Sequence, residues 1–114
     1  MNELLAMVQA TANELEDVLH NPAKYLEDMG YDEDEDALSV WFNDALEINV
    51  ISSLGTNSYR GAQIYVTIGG PTIWIDTKSH TVEGRWGLEK ESLPIYSDVC
   101  DMLDEYVSEL AGTY

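Results

Sequence analysis

Two spacings of apolar residues divide the chain. Over residues 2–19, Leu4, Val8, Leu15, Val18 and Leu19 recur near helical spacing, with Leu5 and Ala12 beside them. Glu14, Glu16 and Asp17 are left mainly to solvent, so the segment predicts an amphipathic helix. Asn21-Pro22 ends it, because the residue before proline avoids the helical region. Pro22 then opens a second short helix through Tyr25 and Leu26, stopped at Gly30. Ala37-Leu38-Ser39-Val40-Trp41-Phe42 predicts a third, with the acids before it favoured by the helix dipole.

From about residue 46 the period falls to two. Leu46, Ile48 and Val50 alternate with Ala45, Glu47 and Asn49, and Ala62, Ile64, Val66 and Ile68 alternate with Gln63, Tyr65 and Thr67. Ile73 and Ile75 alternate with Thr72, Trp74 and Asp76, and Thr81 to Arg85 make a fourth strand. Half-buried antiparallel strands have this pattern. The connections carry turn chemistry at Gly55 to Gly61, Gly69-Gly70-Pro71 and Thr77 to His80. The last segment returns to helical spacing, with Val99, Met102, Leu103, Tyr106, Val107 and Leu110 in one stripe. Ser97 is placed to cap it and Gly112 to end it. Segregated helices and strands define an α+β fold: N-terminal helices, a four-stranded antiparallel meander, and a C-terminal helix packed on the sheet. The Val99, Leu103, Tyr106 and Leu110 stripe is expected to lie on the Ile64, Val66, Ile73 and Ile75 face. With 114 residues and no internal linker, residues 1–114 are read as a single acidic domain.

Charge changes the picture. Twenty-two acids against five bases give a net charge of −17. Residues 1–47 hold 13 acids and one base, for −12, and residues 48–114 hold nine acids and four bases, for −5. Such acidity serves solubility or a salt-adapted host in one reading, and attracts a basic surface in the other. It repels bare nucleic acid and anionic lipid, so neither is an expected partner. One cysteine, Cys100, excludes an intrachain disulfide and suits a reducing compartment. The first residues lack a signal-peptide pattern and no run of 18 apolar residues exists, so no membrane span and a cytoplasmic location are expected.

Candidate chemistry is sparse. Asp32, Glu33, Asp34, Glu35 and Asp36 start like a calcium loop, but Ala37 stands where the sharp turn needs glycine and Asn43 where a bidentate Glu is needed. No metal is therefore expected; the run is a solvated loop or a partner-facing patch. His20 and His80 belong to no spaced ligand set, and Cys100 reads as a buried thiol. Gly69-Gly70-Pro71 lacks the lysine and following helix of a phosphate loop. A glycosidase needs two carboxylates in contrasting environments, which uniform acidity does not supply. No enzyme activity and no cofactor are expected. Tyr65 and Trp74 fall on the strand face opposite the isoleucines; either a helix covers that face, or they are exposed anchors for a partner, with Trp86 a third.

The stretch Gly69-Gly70-Pro71-Thr72-Ile73-Trp74-Ile75-Asp76-Thr77, then Val82-Glu83-Gly84-Arg85-Trp86-Gly87, with Trp41 to Leu46 and Asp104-Glu105-Tyr106, resembles a family of small acidic proteins. They are carried by phages and conjugative elements of gut Firmicutes, and the resemblance spans roughly residues 37–111. More loosely, size and charge are similar to DNA-mimic inhibitors of the anti-restriction and anti-CRISPR types. That likeness implies a protein-binding inhibitor whose carboxylates stand where phosphates would sit, blocking a host defence nuclease at a basic surface of this nucleic-acid-binding protein. Asp32, Glu33, Asp34, Glu35 and Asp36 are then the partner-binding residues. The alternative is a structural or regulatory interaction module that docks through Tyr65 and Trp74.

Overall fold

A computed structural model describes residues 2–56 and 58–111. Helix α1 (Glu3–His20) begins at Asn2, whose side-chain oxygen accepts the Leu5 N–H at 2.6 Å. It ends at Asn21, and Pro22 starts helix α2 (Pro22–Asp28) at a position that has no need of an N–H. The backbone then turns left-handed at Gly30, with φ +82°. Helix α3 (Ala37–Asn43) follows the acidic run. Next come β1 (Glu47–Ser52), β2 (Tyr59–Thr67), β3 (Thr72–Asp76), β4 (Thr81–Trp86), β5 (Glu89–Pro94) and helix α4 (Ser97–Ala111). Ser97 lies inside the first turn of α4 rather than capping it; Tyr96 O accepts there from the Val99 and Cys100 N–H groups. Gly112, read as the end of this helix, lies outside the described residues, as does Asn57 in the β1–β2 connection.

The sheet has five strands in the order β1-β2-β3-β4-β5, each pair antiparallel. The four-stranded reading is corrected by β5. Its sequence Glu-Lys-Glu-Ser-Leu-Pro has no apolar alternation, because an edge strand at the rim of the core needs few apolar residues. What creates it is the two-residue turn Gly87-Leu88, which joins the paired residues Trp86 and Glu89, with Gly87 at φ +63°.

All core residues of the sheet point to one side. Ala62, Ile64, Ile73, Ile75 and Val82 are buried, and α1 packs on β4 and β5 over them. Leu4, Val8, Ala12, Leu15 and Val18 supply its buried stripe. Gly84 permits the approach: a Cβ there would stand 2.6 Å from Val8 Cγ2 and 3.0 Å from Leu4 Cδ1. Helix α4 packs on β2 and against α1. Val99, Cys100, Leu103 and Val107 are buried, whereas Leu110 is 65% exposed and Tyr106 stacks on Phe42 of α3 at 4.1 Å. The C-terminal helix thus covers the β2 part of this one face, and α1 covers it over β4 and β5. At the α4–sheet junction Asp104 Oδ1 accepts hydroxyl hydrogen bonds from Tyr59 and Thr77, both at 2.6 Å. The buried Thr77 oxygen in turn accepts the Ala62 N–H at 2.9 Å, so this enclosed polar group is satisfied. Burial and the neighbouring Asp104 hold the Tyr59 phenol well above its ordinary pKa.

Strand β1 departs from its expected alternation. Leu46 is 61% exposed and Val50 exposed, with Ile48 half-buried, because β1 is the other edge and no helix reaches over it as far as α1 reaches over β4.

Leu103→Ala should cost about 2–5 kcal/mol in urea denaturation, the usual range for a buried leucine, while Leu110→Ala should be near neutral. Equal losses at the two sites would contradict the α4 packing. Gly84→Ala should cost about 1–3 kcal/mol, since a methyl there forces α1 off the sheet; an unchanged melting temperature would mean that α1 does not lie so close.

Candidate partner interface

The acidic run forms the α2–α3 connection, and Asp32, Glu33, Asp34, Glu35 and Asp36 are all exposed. Its local structure is slight. The Glu35 N–H donates to the Asp32 carbonyl at 3.2 Å, and Asp36, at the start of α3, accepts the Ser39 hydroxyl at 2.7 Å. None of the five carboxylates forms an ion pair with a base among the described residues.

The fold extends this run into a much larger acidic surface. The helices and their connections, residues 2–46 and 95–111, hold 17 of the 22 acids but only one of the five bases, Lys24, for a net −16. The sheet with its turns, residues 47–94, holds five acids and four bases, for a net −1. The front-to-back asymmetry of the sequence becomes a layer-to-layer asymmetry, because α4 returns Asp98, Asp101, Asp104, Glu105 and Glu109 to the helical side. An ion-pair cluster at Lys24 and a polar cluster at His20 bridge helical elements. Lys24 Nζ lies 2.9 Å from Asp28 and 3.8 Å from Asp17, and His20 Nε2 lies 3.4 Å from Glu16 and 3.5 Å from Asp98.

The second candidate surface is the opposite face of the sheet. Register sets Glu47, Tyr65, Trp74, Glu83 and Ser92 in one row across five strands. Tyr65 and Trp74 are direct partners and stack, with ring centroids 5.5 Å apart and planes 24° apart. A shallow groove of about 540 Å³ runs beside them, lined by Tyr65, Gly69, Thr72, Trp74, Arg85 and Gly87. Among the described residues no helix packs on this face, so the pair is half-buried by its own stacking and its neighbours. Trp86 does not join them. It shares strand parity with Val82 and Gly84 and sits beside Asn2 and Glu3 on the helical side.

The structure therefore brings the five carboxylates together with the other helical acids, and Tyr65 together with Trp74, but sets the two groups on opposite layers. Arg85 was missed by the motif reading. Its signal was the two-residue period, which puts it on the same face as Glu83, adjacent to Thr72.

Chemically the described residues hold no group of three or more His, Cys, Asp and Glu placed to bind a metal ion. Cys100 is fully buried, and burial followed by its acidic neighbours pushes its thiol up to about 12, the state of an unreactive core sulfur. His80 sits in the β3–β4 turn with φ 60°, beside the Asp76 side chain that accepts the Lys78 and Ser79 N–H groups at 3.0 Å. No family model, curated protein or solved structure matches the chain.

Trp74→Ala should cost about 1 kcal/mol or less in denaturant titrations, the scale of one cross-strand pair on an open face. A loss as large as that at Leu103 would show that something covers the face.

Proposed function

We propose that the chain is a non-enzymatic protein-binding inhibitor, carried by a phage or another mobile element. In this reading its acidic helical layer acts in the cytoplasm as a nucleic-acid mimic and blocks the basic groove of a host defence nuclease, in the anti-restriction or anti-CRISPR manner. The observation that carries the reading is the segregation of charge, net −16 on the helical side against −1 in the sheet. Acidity that served solubility alone would have no reason to avoid one layer. Concentrating like charge costs stability through self-repulsion, and what it gains is a directed field. That field steers a basic partner and raises its association rate. The molecule measures 43 × 42 × 23 Å, so its broad face matches about one turn of duplex, roughly 34–36 Å long.

A second reading is favoured by the groove beside Tyr65 and Trp74: a structural or regulatory module that docks a partner on its open sheet face, with Arg85 supplying a cation at the rim. The two readings make opposite predictions. A host protein retained by the immobilised chain should be displaced by duplex DNA, and its affinity should fall steeply with salt. Exposed ion pairs contribute about 0–1 kcal/mol each, so only joint replacement of Asp32, Glu33, Asp34, Glu35 and Asp36 by Asn or Gln should matter. That variant should fold normally and associate more slowly in surface-plasmon measurements at low salt, with a flatter salt dependence. Tyr65→Ala and Trp74→Ala should change little. Unchanged association of the neutralised variant, together with loss of binding at the aromatics, would transfer the function to the sheet face.

A further inference from the structure

The two edges of the sheet differ. Strand β5 is blunted: Glu89 and Lys90 are exposed, Pro94 ends it, and α1 packs beside it. Charge and proline are the usual protection of an unpaired strand. Strand β1 has neither lysine nor proline, and its sequence Glu-Ile-Asn-Val-Ile-Ser is rich in β-branched residues. Among the described residues no strand pairs with its outer side, so the backbone N–H and C=O groups there have no ladder partner. The β-bulge beside it puts its extra residue, Arg60, on β2 and leaves β1 itself regular. Ile48 and Val50 oppose Ile64 and Ala62 and so face the helical side, and Leu46 and Leu54 share their parity. Leu46 and Val50 are exposed, and Leu54 wholly so. Their spacing is symmetric, since Leu46 and Leu54 each lie four positions from Val50. The charges along this edge are symmetric in the opposite sense. Glu47 shares the open face with Tyr65, three positions before Val50. Ser53 stands three positions after it, and its Oγ accepts from Arg60 Nε. Residues 45–60 hold only this acid and this base, a neutral stretch in a chain of net −17.

We propose that this edge pairs antiparallel with the β1 edge of a second copy of the chain, about a two-fold axis at Val50, joining two five-stranded sheets into one. In that register Val50 meets Val50, Leu46 meets Leu54, and Glu47 meets Ser53 with its bound Arg60, each twice by symmetry. Exposed apolar side chains are covered, and no like charges stand directly opposite. Asn49 Nδ2 donates to one oxygen of Glu47 at 2.9 Å, which leaves the other for the guanidinium of the second copy. Within one chain Glu47 and Ser53 are separated by six strand positions, about 20 Å, so the pair forms only between copies. An axis perpendicular to the sheet keeps both helical layers on the same side, and the two acidic layers become one longer surface. Repulsion between two chains of net −17 opposes the contact, and the neutral edge is where it opposes least. Salt screens that repulsion, so self-association strengthens as ionic strength rises, the reverse of binding to a basic partner.

Sedimentation velocity of the whole chain, at concentrations up to about 1 mM to suit a small interface, reads the dimer directly. A dimer should appear, and its dissociation constant should fall as salt rises from about 0.05 to 0.5 M. Val50→Asp sets two carboxylates face to face on the axis and should weaken it by at least about tenfold, with the monomer still folded by circular dichroism. Glu47→Arg and Arg60→Glu should each weaken it about tenfold, because two attractive pairs become repulsive. The double exchange keeps the net charge at −17 and should return the dimer to within about threefold of wild type. Val50→Cys should give a disulfide-linked dimer under mild oxidation, since opposed Cβ atoms lie about 4.5–5.5 Å apart. The unaltered chain, whose one cysteine is buried, should not. A monomer at every concentration and salt, a dimer indifferent to Val50→Asp, or a double exchange no stronger than the single ones would overturn the proposal.

Discussion

The close approach of α1 to the sheet at Gly84 sets the layout of the whole molecule. Strand β4 can lie under Leu4 and Val8 only because it has no Cβ at that point. With α1 seated there, its apolar stripe closes over Ile73, Ile75 and Val82, and α2, α3 and α4 assemble around it on the same side. Among the described residues the helices thereby cover one face of the sheet from β2 to β5 and leave the other bare. A two-layer arrangement of this kind is a standard outcome when helices segregate to one face of an antiparallel sheet. The polar seam at Asp104 fixes α4 in that layer, by drawing Tyr59 and Thr77 hydroxyls from two different parts of the sheet onto one carboxylate oxygen.

This layering turns an acidic composition into an acidic side. Carboxylates on α1, α2, the 31–36 connection and α4 come from distant parts of the chain, and only their common position over one sheet face makes them a single surface. The compact state bears their repulsion, relieved locally by Lys24, placed between Asp28 of its own helix and Asp17 of α1. Every other base lies in the sheet or its turns, where the charge is almost balanced. A field with one strong side is suited to orienting an approaching cationic surface.

The opposite face has a different character. Its centre is a stacked Tyr65–Trp74 pair flanked by Thr72, Glu83 and Arg85, with mixed charge and a shallow groove. An aromatic pair in this setting is an amphipathic surface of moderate area, able to contact a partner without strong steering. The molecule therefore offers two chemically distinct faces about 23 Å apart across its thin dimension, one governed by charge and salt, the other by packing.

Much of this fold was legible in the residues themselves. Asn21-Pro22 and Gly30 bounded α1 and α2 because proline and glycine act on the local backbone, and the stripes of α1 and α4 showed because their periodicity is internal to each helix. The period-two pattern marked β1, β2, β3 and β4, and in the last three the inward residues meet the helices. It failed at the edges: β5 carries charge where a pattern would be, and Leu46, Val50 and Leu110 are apolar yet exposed, because an apolar residue is buried only if some other element reaches it. The acidic run was plain from adjacency alone, and Tyr65 and Trp74 could be assigned to one face from strand parity. Whether that face was covered, and that Trp86 lay on the other side, were not. Each depends on which helix packs where, a long-range choice made by the fit of α1 against Gly84, and no local propensity or spacing encodes it.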